Sequence, residues 1–190
     1  GYHPKASKTV LILKDASSLP LAKSLFGPTG VKIVCDGERH LGASIGSVEF
    51  REKYVMNKVD QWVKDVEVLS EIAVEEPQGA LSAFTKALCH RWTYVQRTIP
   101  DIKDLFKPLE QCIREKFIPA VGGKTVSDLH RMLLALPVRF GGLGIVNPVE
   151  TSDREFHVSV NVTEELVDLI YHQETSLKKL DRVKVEGKVQ

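Results

Sequence analysis

The segment from Lys86 to Arg97, KALCHRWTYVQR, alternates basic side chains with aromatic rings. Basic groups contact phosphates and aromatic rings stack on bases or riboses, so the combination is typical of segments that bind nucleic acid. On a helix, Lys86, His90, Tyr94 and Arg97 would lie on one face, because their spacing is i, i+4, i+8 and i+11. The predicted nucleic-acid-binding residues are Lys86, His90, Arg91, Tyr94 and Arg97. The alternative is that they form an ordinary solvated helix face.

The net charge of +1 hides a separation of charge along the chain. Residues 86–139 contain ten Lys and Arg against five Asp and Glu, which gives +5. Counted in the same way, residues 1–49 carry +2 (six against four), residues 50–85 carry −3 (four against seven) and residues 140–190 carry −3 (six against nine). Because clustered positive charge attracts polyanions, residues 86–139 are the segment whose charge predicts a nucleic-acid footprint.

The common sequence patterns of catalytic sites are incomplete or missing. Gly122-Gly123-Lys124-Thr125 resembles the end of a P-loop, but Ile118 stands where that pattern needs a glycine. The histidines form no His-x-x-x-His pair with an intervening Glu, and no Gly-x-Ser-x-Gly occurs. Asp15, Asp36 and Glu38 flank predicted strands, but the last two look like turn residues. The sequence therefore predicts no metal site, no cofactor and no hydrolase.

The elements before Ser47 predict a small β-platform. Short apolar runs rich in β-branched residues are typical of strands, and an Asp-Gly step between two such runs is typical of a hairpin. The predicted elements are a strand at Thr9–Lys14, a helix at Ser17–Phe26 closed by Gly27, and strands at Val31–Cys35 and His40–Ile45 joined by a turn at Asp36-Gly37-Glu38. Gly42 and Gly46 predict a bulge or the close approach of another backbone, and a simple bend is the alternative.

The short helix is expected to bury one apolar face against the sheet. The residues of that face are Leu19, Leu21, Ala22, Leu25 and Phe26. After Ser47 the apolar spacing changes to three and four residues, which predicts helices. The predicted helices are Val48–Glu75 capped by Ser47, one from Pro77 to before Pro100, one from Asp101 that Pro108 kinks or divides into two short helices, Val126–Leu136, one from Asn147-Pro148, and a last one from Thr163. Trp62 and Trp92 lie on apolar faces and are predicted core residues.

The predicted fold is therefore α+β, with a small β-platform followed by a mainly helical body. The 43% hydrophobic and 27% charged fractions are typical of a soluble globular protein. No apolar run approaches the roughly 20 residues of a membrane span, so we expect no membrane partner. Cys35, Cys89 and Cys112 form no Cys-x-x-Cys, which favours a reducing, intracellular compartment.

Three blocks of the chain resemble a known family. Gly1–Thr9, GYHPKASKT, followed by VLIL, resembles the strand after the catalytic Asp-Asp hairpin of reverse transcriptases. Arg39–Gly46, RHLGASIG, resembles the hairpin of that family that grips the primer end. Pro137–Ile145, PVRFGGLGI, resembles a segment beyond the thumb of retrotransposon polymerases. The blocks follow one another in the order and spacing of the family.

The resemblance implies that residues 1–47 are the distal palm, 48–136 a helical thumb, and 137–190 a Gly-Gly-Leu-Gly connection with C-terminal helices. Primer-grip residues are then Arg39, His40, Leu41 and Gly42, and the Lys86–Arg97 helix grips the template–primer duplex. Lys8 matches the family's Lys-Thr step, where a lysine is placed to protonate the departing pyrophosphate. Lys5 is the second candidate, and a solvent-facing lysine is the alternative.

One departure from the family concerns catalysis. The polymerase site needs carboxylates on two earlier strands, and no Asp-Asp pair occurs in this chain. We expect a C-terminal part of a larger polyprotein whose intact parent carries out RNA-directed DNA synthesis for a retrotransposon with Mg²⁺. The upstream palm and fingers would be its partners, and the chain alone would lack polymerase activity. The alternative is a stand-alone helical module that binds nucleic acid or protein.

Overall fold

The computed structural model describes residues 5–173 of the chain, which divides into two units, Gly1–Asn57 and Lys58–Gln190. The fold is α+β, as the sequence predicts. Predictions that fall on residues 1–4 and 174–190, including part of the first resembling block and the end of the last predicted helix, lie outside the described residues. Within the described part, no helix is long and apolar enough to cross a bilayer.

The first unit contains two small sheets. Strands β1 (Val10–Ile12) and β2 (Lys32–Val34) pair in parallel, with Leu11 opposite Ile33, and are connected through helix α1 (Leu19–Phe26). Strands β3 (Gly37–His40) and β4 (Ala43–Gly46) form an antiparallel hairpin. Helix α2 (Val48–Glu75) follows, and it begins where predicted because the Ser47 hydroxyl accepts a hydrogen bond from the Phe50 amide at 3.2 Å.

The hairpin turn lies at Leu41-Gly42, so the predicted turn at Asp36–Glu38 and the predicted strand over His40–Ile45 are wrong. Leu41 and Gly42 have φ of 48° and 88°, the positive values that a two-residue turn between antiparallel strands requires. Gly37 and Gly46 instead face each other across the open end of the hairpin. A Cβ on Gly46 would overlap the Asp36 carbonyl, which confirms the predicted close approach of backbones there.

The predicted buried face of α1 is mostly wrong. Only Ala22 is buried, Leu19 is half-buried, and the other three apolar residues, Leu21, Leu25 and Phe26, are exposed. Two strands of three residues each offer too little surface to cover a whole helix face. The predicted end of α1 is confirmed, because the helix ends at Phe26 with Gly27 as its C-cap. Gly27 keeps a right-handed conformation, and the left-handed residue is Gly30, with φ of 77°.

The helical body consists of helices and helical turns packed around aromatic side chains. Its elements after α2 are α3 (Pro77–Ala83), a π-helical turn (Phe84–Leu88), α4 (His90–Thr98), a 3-10 turn (Lys103–Phe106), α5 (Lys107–Cys112), a second π-helical turn (Ile113–Phe117), α6 (Ile118–Gly122), α7 (Asp128–Ala135), a 3-10 turn (Val138–Phe140) and α8 (Pro148–Tyr171). Pro77 and Pro148 lie in the first turns of their helices, as predicted. The Asn147 side chain caps α8 by accepting from the Val149 amide at 2.9 Å.

Two predicted helix starts are wrong and one is displaced. Asp101 is not a cap, because it has a φ of 60° and the next turn starts at Lys103. Thr163 does not begin a helix, because it lies within α8 and its hydroxyl donates back to the Ser159 carbonyl at 2.9 Å. Helix α7 starts at Asp128, two residues later than predicted.

The core of the second unit is aromatic. The rings of Trp62 and Phe106 stack at 6.2 Å, those of Phe84 and Phe117 stack at 4.6 Å, and Trp92 lies 6.1 Å from Trp62. Both tryptophans are buried, which confirms their prediction as core residues. Such pairs contribute about 0.5–1.5 kcal/mol each beyond the area that they bury.

The Gly141–Gly144 loop folds back onto the end of α7. The amides of Leu143 and Ile145 donate to the Leu134 carbonyl at 3.2 and 3.1 Å. A Cβ on Gly142 would overlap the Leu136 carbonyl. Glycine is therefore required at this position by the closeness of two backbones, and the loop holds the last turn of α7 in place.

Candidate nucleic-acid interface

The tip of the β3–β4 hairpin presents a large apolar side chain to solvent. Leu41 is 81% exposed and is one of three described residues other than glycine with positive φ. A left-handed conformation costs a leucine about 1–2 kcal/mol, so neither burial nor local conformation favours leucine here. An exposed and strained residue held by its surroundings is a common feature of binding sites.

The hairpin tip is fixed to the following helix. The Tyr54 hydroxyl, on the second turn of α2, donates to the Gly42 carbonyl at 2.6 Å. Both residues are partly shielded from water, where a hydrogen bond of this kind contributes about 0.5–1.5 kcal/mol. The bond restrains the carbonyl next to Leu41 and makes the tip a positioned element rather than a free loop.

Two of the predicted sites come together in the first unit. Lys8, Arg39 and His40 line one cleft of about 450 Å³, together with Lys32 and Glu38. Lys8 ends a 3-10 turn, Ala6–Lys8, just before β1, and Arg39 and His40 end β3. The predicted general acid and half of the predicted primer grip therefore share one surface. Leu41 and Gly42 follow directly at the hairpin tip.

The cleft is positively charged. Lys32 forms an ion pair with Glu38, and its hydrogen bond holds the pKa of the Glu38 carboxyl below the ordinary value. Glu38 therefore stays ionised and offsets Lys32. Within the described residues, no carboxylate pairs with Lys8 or Arg39. Both are exposed, so they can contact phosphates without losing an internal partner.

The Lys86–Arg97 segment is not one regular helix. The Cys89 amide bonds to the Phe84 carbonyl at 3.0 Å, an i→i−5 bond that widens the turn containing Lys86. The uniform spacing predicted from Lys86 through His90 therefore does not apply across that turn. His90 and Tyr94 are exposed on α4, and Trp92 is buried.

The two arginines of this segment are used inside the second unit. The Arg91 guanidinium pairs with Asp65 of α2 at 2.5 Å, and Arg97 pairs with Glu155 of α8 at 2.8 Å. Both pairs are partly exposed, so each is worth no more than about 1 kcal/mol. A phosphate would have to compete with these carboxylates for the same donors.

Most of the positive charge of residues 86–139 is offset in the same way. Seven of its ten Lys and Arg side chains form ion pairs: Arg91, Arg97, Lys103, Lys107, Arg114, Lys116 and Arg131. Several of the partner carboxylates come from the two acidic segments that flank it in sequence. Among the described residues, the remaining three, Lys86, Lys124 and Arg139, show no ion pair. The segment is far less basic in the fold than in the sequence.

Two residues of the interface were missed by sequence reasoning. Lys32 lines the cleft although its strand shows no functional pattern, and nothing in the sequence signals its position. Tyr54 follows Gly42 by twelve residues, and its place in the apolar spacing of the predicted Val48–Glu75 helix indicates only a buried helix face. The Tyr54 side chain is half-buried, and a tyrosine in such a position usually forms a hydrogen bond through its hydroxyl.

The part of the chain that the structure describes offers no set of ligands for the magnesium that the resemblance implies for an intact polymerase. Among residues 5–173, no three His, Cys, Asp or Glu side chains meet in a group that could hold a metal ion. The described residues therefore do not fit a magnesium site. The chemistry available at the cleft is the binding of anions by Lys8 and Arg39.

No protein-family model, curated protein or solved structure matches this chain.

Proposed function

We propose that the first unit is the end of the palm of a reverse-transcriptase-like polymerase, and that its hairpin grips the template–primer duplex during RNA-directed DNA synthesis for a retroelement. The second unit would be the thumb and its connection. The upstream palm and fingers would supply the catalytic carboxylates and their Mg²⁺. Alone, the chain is expected to bind primed duplex but to leave the primer unextended.

One observation carries this proposal: Lys8, Arg39 and His40 line one cleft although Lys8 and Arg39 are 31 positions apart in the sequence and belong to separate blocks. Each block resembles the reverse-transcriptase family independently. A chance resemblance of two short blocks gives no reason for their residues to meet on one surface. Two exposed cations beside an apolar tip also suit a duplex end, which offers phosphates and the face of a terminal base.

The proposal assigns the main duplex contact to the hairpin and not to the Lys86–Arg97 segment. That segment was the stronger candidate from sequence alone. Its two arginines are paired with Asp65 and Glu155, whereas Lys8 and Arg39 have no carboxylate partner within the described residues. Lys86, His90 and Tyr94 stay candidates for a secondary contact because they are exposed.

Duplex binding at several salt concentrations tests the proposal. Fluorescence anisotropy would follow an RNA template annealed to a shorter, labelled DNA primer. Each phosphate contact adds about 0.9 to the slope of log affinity against log salt, so the Lys8→Ser, Arg39→Ser variant should lose about two units of slope. A matched control is Lys14→Ser, Lys23→Ser, which removes the same charge from exposed positions in the same unit.

Equal losses in the two double variants would mean that binding depends on net charge, and the hairpin assignment would be wrong. No duplex binding by the unmodified chain at low salt would contradict the nucleic-acid function altogether. The alternative function, a stand-alone module without an RNA-directed role, predicts a different result. It would show no preference for a primed duplex over a blunt one.

A further inference from the structure

Helix α7 buries a charged side chain and exposes most of its apolar ones. Its one buried residue is Arg131, which is 4% exposed. Leu129 and Met132 are 66% and 61% exposed, and Leu133 and Leu136 are exposed as well. Leu129, Met132 and Leu133 follow the spacing i, i+3, i+4, so they share one side of the helix, and Leu136 follows directly as its C-cap. The apolar stripe that would normally pack into a core faces solvent.

The orientation of α7 is fixed by specific bonds. The Arg131 guanidinium donates to both Glu110 oxygens at 2.6 and 2.7 Å and to the Ile145 carbonyl at 2.7 Å. The Gly141–Gly144 loop also bonds to the last carbonyls of the helix. Rotating the helix to bury its leucines would break all of these bonds and leave Glu110 buried without a partner. These contacts therefore keep the apolar face of α7 exposed to solvent.

Two more apolar side chains are exposed directly after the helix. Val138 and Phe140, in the following 3-10 turn, are exposed. Leu133 also forms the edge of a half-enclosed cleft of about 330 Å³, whose apolar walls include Val121, Leu143 and Ile145. We call the six exposed residues the α7 surface: Leu129, Met132, Leu133, Leu136, Val138 and Phe140. Clusters of exposed apolar side chains on a monomer commonly mark a binding site.

The charges around the α7 surface are positive. Lys124 lines the cleft, and the Arg139 guanidinium lies 4.9 Å from the centre of the Phe140 ring. Neither forms an ion pair within the described residues. Of the carboxylates nearby, Asp128 pairs with Arg114 at 2.6 Å and Glu110 pairs with Arg131. The surface therefore presents an apolar stripe with uncompensated cations beside it.

We propose that the α7 surface is a docking site for an acidic amphipathic helix of a partner protein. A helical ridge beside a small cleft suits the helix-in-groove mode, in which apolar anchors at i, i+3, i+4 and i+7 fill the groove. Carboxylates on the flanks of the partner helix would face Lys124 and Arg139. A second copy of this chain fits less well, because a twofold contact would bring the same cations together. The inference does not depend on duplex binding by the first unit.

Defined peptides test the proposal with the full chain. The probe is a labelled synthetic helix about 20 residues long, enough to be helical alone, with Leu at i, i+3, i+4 and i+7 and Glu on both flanks. The control peptide replaces every Glu with Lys. We expect the acidic peptide to bind at least tenfold more tightly by fluorescence anisotropy. The variant Lys124→Glu, Arg139→Glu should reverse that preference.

Matched apolar variants locate the binding surface. Leu129→Ser, Met132→Ser should weaken binding of the acidic peptide at least tenfold, because central apolar anchors carry most of the affinity of such contacts. The control is Val68→Ser, Ile72→Ser on α2, which alters two similarly exposed apolar residues elsewhere in the same unit. Circular dichroism should show both variants folded, since all four side chains are exposed.

Several results would overturn the proposal. These are equal binding of the two peptides, unchanged binding after Leu129→Ser, Met132→Ser, and an equal loss in the α2 control. A stable dimer in sedimentation experiments that Met132→Ser dissolves would assign the surface to a second copy. Binding to anionic vesicles with no binding to the acidic peptide would assign it to a membrane.

Discussion

Replacing Arg131 tests the buried ion pair that orients α7. The side chains of Arg131 and Glu110 are 5% and 14% exposed, and two hydrogen bonds join them. Arg131→Met keeps most of the volume but leaves the Glu110 carboxylate and the Ile145 carbonyl without their donor. Removing one partner of a buried pair costs about 3–5 kcal/mol. We expect a loss of that size in the free energy of unfolding.

The chain contains a matched exposed pair. Arg114 and Asp128 form an ion pair at 2.6 Å with side chains 39% and 86% exposed. Arg114→Met should therefore cost no more than about 1 kcal/mol. A third variant, Arg131→Met with Glu110→Leu, removes both buried charges together and should recover most of the loss.

Urea unfolding followed by tryptophan fluorescence is a suitable assay. Trp62 and Trp92 are the only tryptophans of the chain, and both lie in the core of the second unit, which contains Arg131. The signal therefore reports that unit. If Arg131→Met costs no more than Arg114→Met, the pair does not fix α7, and the argument that its apolar face is held outward fails.

Three further predictions follow from single positions. Leu41→Asn should stabilise the hairpin by up to about 1 kcal/mol in hydrogen exchange, because Asn tolerates positive φ better, yet should weaken binding of primed duplex. Gly142→Ala should lower the melting temperature because of its overlap with the Leu136 carbonyl, whereas the open Gly122→Ala should not. Half-buried Cys35 should react first with a thiol reagent near neutral pH, because burial raises the pKa of both buried thiols and keeps them protonated. Equal reactivity of all three thiols would contradict the burial pattern.

Local signals predicted three of the helix starts correctly. Ser47, Pro77 and Asn147 each satisfy or tolerate unpaired amides at a helix N-terminus, and each begins a helix where expected. The failures come from interactions that local sequence does not encode. The Asp36-Gly37 step looks like a turn, but Gly37 is needed where two backbones approach closely. The turn forms at Leu41 instead, against its intrinsic preference.

The sequence named residues of the candidate site, but it did not predict that they would lie together. The hairpin and Lys8 were found by resemblance, and only the fold brings Lys8 and Arg39 to one cleft. The basic segment was overestimated because ion pairs with carboxylates distant in sequence cannot be read from a charge count. The orientation of α7, with its leucines exposed, could not be predicted for a similar reason. Nothing local shows that Arg131 would find Glu110 and turn the leucines outward.

Photo-crosslinking from the hairpin tip tests the central claim most directly. A benzophenone amino acid in place of Leu41, which is highly exposed, would be irradiated in the presence of an RNA template with a shorter DNA primer. The same amino acid in place of exposed Leu21 on α1 is the control within the same unit. We expect crosslinks from position 41 to be concentrated at the last nucleotides of the primer strand and to be absent from position 21. Crosslinks spread evenly along the duplex, or equal from both positions, would contradict a primer-gripping hairpin.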